Sequence, residues 1–151
     1  MKFALSIIAA TGLTLGVVTA VVAQDDPVER RIAIMKDNGR QLGQIVPMTR
    51  GEKDFDAEVV AAAFQKLADN AASIDVDALF PEGSDMHAET KAAPAIWEKM
   101  DEFKAAMDKL KADTAEVAAN PPTELAALGP AIGQVGQNCG SCHENFRLED
   151  N

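Results

Sequence analysis

Residues 125–146 read LAALGPAIGQVGQNCGSCHENF and place Leu125, Leu128, Ile132, Val135, Cys139, Cys142 and Phe146 at alternating steps of three and four. That spacing is the helical period, so all seven side chains fall on one stripe. Both cysteines belong to the stripe and face the same way as the leucines. A stripe of this kind cannot cover itself and calls for partner helices. Pro130 lies inside the pattern, so the helix is either kinked there or begins there.

Upstream, the same signal recurs three times. Val28, Ile32, Met35, Gly39, Leu42 and Val46 form one seam, and Val60, Phe64, Leu67, Ala71 and Ile74 a second. Ile96, Met100, Phe103, Met107, Leu110, Thr114 and Val117 form the third. Strand signals are nearly absent: the chain has no Tyr and few β-branched runs. Breaks fall between the seams, at Pro47 with Arg50-Gly51-Glu52, at Phe80 to Asp85, and at Asn120-Pro121-Pro122, where Thr123 is placed to cap the last helix. Pro94 stands near the start of the third helix, where proline is tolerated. These signs predict an all-α chain folded as an antiparallel four-helix bundle.

The first 23 residues read differently. Lys2 precedes an apolar run from Phe3 to Val22 with no acidic residue, ending in Val21-Val22-Ala23. This is the pattern of a secretory signal peptide (1–23) cleaved before Gln24; a retained membrane anchor is the rival reading. Residues 24–151 then form one domain with no membrane span. Losing Lys2 takes the formal net charge from −10 to −11. So acidic a surface excludes nucleic acid as partner and steers toward proteins with a basic docking face, or serves solubility alone.

Export places Cys139 and Cys142 in an oxidising compartment, yet a disulfide across so short a loop would add little stability. The run Cys139-Gly140-Ser141-Cys142-His143 is a C-x-x-C-H sequence, the attachment signature of c-type haem. Two thiols three apart on a helix reach the two vinyl groups on one side of the porphyrin, and the next residue projects toward the iron. Imidazole is the usual proximal ligand, which assigns His143 to the metal. A zinc site lacks ligands, since the only other His or Cys is His87. One covalently bound haem c should therefore sit within the bundle and replace core side chains. Gly129, Gly133, Gly136 and Gly140 form a second stripe on the same helix, which suggests close packing against the haem face, a neighbouring helix or a second subunit. Arg147, one turn after His143, can lie over the imidazole, meet a haem propionate, or stay solvated.

A C-terminal C-x-x-C-H on the last helix of a four-helix bundle resembles the class II cytochromes c, the cytochrome c-prime family. The likeness covers the whole mature chain and includes Ile96-Trp97 opening the third helix after a proline. Met35-Lys36-Asp37-Asn38-Gly39-Arg40 and Cys139 to Arg147 resemble the methionine-ligated, low-spin branch. That resemblance implies Met35 as sixth iron ligand, and its place on the first seam is compatible with this. A thioether suits haem iron and raises its potential relative to a second His. The competing role is packing without a bond. The family also implies a propionate contact for Arg31, with Arg30 as an alternative. Met48 lies past Pro47 and off the seam; Met100 and Met107 read as core; Met86 and His87 read as solvated.

With iron held by His143 and Met35 no site is free for substrate, and the expected function is one-electron transfer between a redox donor and an acceptor, with no enzymatic activity. Two other readings stay open. Without the Met35 bond, a five-coordinate haem would bind NO or CO. Without haem, Cys139 and Cys142 could serve thiol–disulfide exchange. The family occurs as monomers or homodimers, paired through the first two helices, where Lys36, Asp37, Arg40 and Lys66 interrupt the surface.

Overall fold

The structure is a computed structural model and describes residues 26–149. The expected signal peptide lies outside the described residues. Among the described residues there are six α-helices, α1 (Pro27–Thr49), α2 (Ala57–Ala72), α3 (Val76–Leu79), α4 (Ala95–Glu98), α5 (Met100–Ala119) and α6 (Leu125–Phe146), with a 3-10 turn at Ser84–Met86. The four long helices make an antiparallel bundle in which α1 packs on α2, α2 on α5 and α5 on α6, while α1 and α6 touch less.

The helix starts follow local chemistry. The Asp26 carboxylate accepts from the Val28 amide at 2.7 Å, with Pro27 in the first helical position. Asp56 accepts from Glu58 and Val59, both at 3.0 Å. The expected Thr123 cap is not made: α6 begins after Glu124 and has no side-chain cap. Pro47 is not a break either. It lies inside α1, which runs on to Thr49 before Gly51 turns the chain at φ +69°. Pro47 has no N–H to offer the Gly43 carbonyl, and α1 ends two residues later. Pro130 lies inside α6, which begins at Leu125. The third seam spans two helices, divided where Lys99 leaves the helical region at φ −132° and ψ 45°.

The core divides in two. At one end Ile45, Met48, Val60, Phe64, Leu67, Val117, Leu128 and Val135 are buried together. Met48 is thus a core residue, against expectation; of the seam read from Val28 to Val46, α1 buries Val28, and beside it Arg31, Ile45 and Met48 from outside the seam. At the other end Phe80, Ile96, Phe103, Met107, Leu110 and Phe146 are buried. Phe103 meets Phe80 and Phe146 edge to face at 4.8 and 5.2 Å. Cys139 packs against the first cluster and Cys142 against the second. Leu125, expected on the α6 seam, is 48% exposed.

Of the three partners expected for the glycine stripe, a neighbouring helix is not found among the described residues. A Cβ added at Gly129, Gly133, Gly136 or Gly140 would meet no atom within 4 Å. The end of α6 is tied instead through its backbone: the Ala93 amide donates to Phe146 O at 3.0 Å and the Leu148 amide to Lys91 O at 2.8 Å.

Candidate functional site

Between α1 and the second half of α6 lies a cavity of about 590 Å³. Ile32 and Met35 line it from α1, Cys142, His143 and Phe146 from α6, and Phe80, Ile96, Phe103 and Met107 from the remaining walls. Met35 is 36% exposed and lines this opening. The first and last helices therefore bring the two expected iron ligands, Met35 and His143, to one cavity. The size falls in the range of cofactor pockets, roughly 300–1,000 Å³. An apolar chamber with a thioether, an imidazole and a thiol on its walls fits a haem. Cys139, one turn back on the same face, lies just outside this lining.

Burial raises the pKa of both thiols, and burial with Cys139 nearby pushes Cys142 up to about 11. The Cys139 thiol donates to Val135 O at 3.5 Å. Reactive redox cysteines have lowered pKa values, so these thiols are poorly suited to disulfide exchange. Desolvation, then nearby Arg147, lowers the pKa of His143. Its neutral form, the one that binds metals, is favoured accordingly.

The two arginines differ in setting. Arg31 lines the cavity but is only 6% exposed. Its Nη1 donates to Leu79 O at 3.1 Å and Ser84 Oγ at 3.0 Å, and its Nη2 to Ser84 O at 2.9 Å and Thr90 Oγ1 at 2.5 Å. Arg30, its rival in the sequence, is exposed and outside the lining. Arg147 stands on the cavity wall at the backbone bridge to Ala92, with its amide donating to His143 O at 3.3 Å. Met100 is half-buried, Met107 is buried and borders the cavity, and Met86 is 82% exposed. His87 is half-exposed, 3.5 Å from Asp26.

Sequence reasoning passed over Phe80, Ser84 and Thr90. All lie in the connection before α4, where no period marks an inward side. Two apolar residues in succession, Leu79-Phe80, were the available signal.

Comparison with known proteins extends the picture. A family model described as Cytochrome C' matches residues 26–147. The chain is 41% identical over 122 residues to cytochrome c-556 of Agrobacterium fabrum, covering 81% of each chain. It is 38% identical over 128 residues to a cytochrome c' of Rhodopseudomonas palustris, covering 85% of this chain and 86% of that one. The structure of cytochrome c' from Rhodopseudomonas palustris superposes with a TM-score of 0.77 at 34% identity, over 85% of this chain and 100% of that one. A match running from the cap of α1 to the residue after α6 takes in the whole bundle, the cavity and the C-x-x-C-H run. This chain belongs to the cytochrome c' family, whose bundles carry covalently attached haem c.

Proposed function

We propose that this cytochrome is a periplasmic one-electron carrier whose haem iron is held by His143 and Met35 in a low-spin, six-coordinate state. That it is a haem protein of electron transfer follows from its family. The finer reading is supported by one observation above others: Met35 and His143 line the same cavity from opposite helices. When bound, the haem supplies the redox chemistry, cycling between ferric and ferrous iron. The chain supplies the rest. Cys139 and Cys142 tether the group, and His143 offers a neutral imidazole. Phe80, Ile96, Phe103 and Phe146 exclude water, and Arg147 on the wall meets a propionate.

Residues 1–23 act as the signal peptide in this reading, which puts the mature chain in the periplasm. Among the described residues no helix is long and apolar enough to cross a membrane. Donor and acceptor are redox proteins whose basic docking faces suit the acidic carrier, itself a monomer or homodimer.

The absorption spectrum of the reduced holoprotein, with and without CO, tests the ligand set. Low-spin bands that CO leaves unchanged are expected, and a Met35→Ala variant should turn high-spin and bind CO. A wild-type ferrous spectrum that is high-spin and shifts with CO would replace this reading with a five-coordinate, gas-binding one.

A further inference from the structure

Met35 is carried by the least anchored stretch of α1. The helix buries Arg31 and Ile45 and no residue between them, and α2, α5 and α6 leave no gap so long. Ile34 and Leu42 pack against the two core clusters while only partly buried. Gly39 and Gly43 lie in the same stretch, where glycine weakens a helix. Apolar burial, which ordinarily fixes how a helix sits on its neighbours, is thin here.

A polar contact stands in its place. Asn70 of α2 is 8% exposed. Its side-chain amide donates to Asp37 Oδ2 at 2.8 Å and to Asn38 Oδ1 at 2.9 Å, which uses both of its N–H bonds. Among the described residues no other hydrogen bond joins α1 to α2. The second oxygen of Asp37 accepts from Arg40 Nη2 at 2.8 Å and from Gln41 Nε2 at 3.2 Å. The carboxylate is thereby held from two sides, by its own helix and by α2. Asp37 follows Met35 by two residues, about 200° round the helix. Neither Asp37 nor Asn38 lines the cavity. The contact grips α1 from outside the space that a haem would fill.

We propose that Asn70 is a positioning residue for the sixth iron ligand: its paired bonds to Asp37 and Asn38 set the rotation of α1 on α2 and so aim the Met35 thioether at the iron. This rests on Met35 ligating the iron, as proposed above. Methionine reaches its sulfur through three rotatable bonds, so the helix has to supply the precision that the side chain lacks. A thioether is a soft donor and holds hard ferric iron loosely. Misplacement of α1 therefore shows first in the ferric protein.

The test titrates the ferric holoprotein with imidazole, which competes with methionine for the iron. Asn70→Leu should weaken the methionine-to-iron charge-transfer band and bind imidazole about tenfold tighter, the scale of one lost hydrogen bond to a charged group. Asn70→Asp should do the same, because it sets a second carboxylate against Asp37. Adding Asp37→Asn to Asn70→Asp exchanges donor and acceptor across the two helices and should bring the affinity back to within about twofold of wild type. Amide exchange over residues 36–42 should quicken several-fold in the two single variants and recover in the exchanged pair. Val60→Ala weakens the bundle from its sealed end and should leave imidazole affinity unchanged, which separates the aim of Met35 from general stability. Should Asn70→Leu fail to fold, Asn38→Ala removes one of the two acceptors and carries the same readouts. With the methionine band present in wild type, the proposal is overturned if Asn70→Leu keeps wild-type imidazole affinity, if the exchanged pair does not recover, or if Val60→Ala shifts the affinity as far. A wild type without that band overturns the ligand reading, and the role of Asn70 with it, before any variant is made.

Discussion

At one end of the bundle Ile45, Met48, Val60, Phe64 and Leu128 are sealed from solvent, and the helices meet side chain to side chain. At the other, Ile32 and Met35 remain partly open around a cavity of about 590 Å³, walled by three phenylalanines. The amphipathic pattern is the same along both. What differs is the filler: side chains complete the first core, and a cofactor is required to complete the second. Packed interiors tolerate few voids larger than a water molecule, so the family's haem c would complete the open end as side chains complete the sealed one.

The largest effect should come from removing that part. A protein with both Cys139→Ala and Cys142→Ala should carry no covalent haem, read as loss of visible absorption after denaturation. Its amides in the first half of α5 should lose exchange protection while those around Phe64 keep theirs. Equal protection at the two ends would break the contrast. Next is Phe64→Ala, which opens a void in the sealed core and should cost about 3–5 kcal/mol in denaturant unfolding, with or without haem.

Smaller effects sharpen the picture on the surface. Gly133→Ala meets no atom within 4 Å and should stabilise the holoprotein by roughly 0.5–1 kcal/mol through helix propensity. Destabilisation that grows with protein concentration would instead reveal a second copy packed on α6. The smallest change concerns Asp37, whose carboxyl accepts from Asn70 at 2.8 Å and Arg40 at 2.8 Å. Hydrogen bonds from Asn70, then Arg40, lower its pKa from 3.8 to about 2. Folding lowers this value, so the stabilisation is complete above 3.8 and is lost as pH falls toward 2. Asn70→Ala should therefore lower stability at neutrality and flatten the pH dependence between 3.8 and 2, with little change in stability below that range.

The sealed end was largely legible. Val60, Phe64, Leu67, Val117, Leu128 and Val135 are seam residues that the structure buries. The cavity end was legible in its chemistry, through Cys139, Cys142 and His143, more than in its walls. Phe80 and Thr90 lie in aperiodic chain and owe their position to contacts with other elements, among them the Phe80 ring against Phe103 and the Thr90 bond to Arg31, 59 residues away. On α1 the seam from Val28 drifted from the faces actually buried. A helix lining a cofactor shows apolar residues at positions that stay half open, and a strict seven-residue repeat slips against a 3.6-residue turn. Arg31 was named only through the family resemblance, because a charged side chain is ordinarily solvated and nothing local marks the oxygens of Leu79, Ser84 and Thr90 that receive it.

The backbone tie between Phe146 and Ala93, and between Leu148 and Lys91, closes one turn beyond His143. In the ligand reading proposed above, it would brace the mounting of His143. An imidazole carried on a braced helix end should occupy the same place whether the metal is ferric or ferrous. The reorganisation that accompanies each electron is then small, and the rate of exchange is left to distance and driving force. Cutting the chain after Arg147 would remove the Leu148 tie while sparing Arg147 and both expected iron ligands, and should slow self-exchange without altering the spectrum.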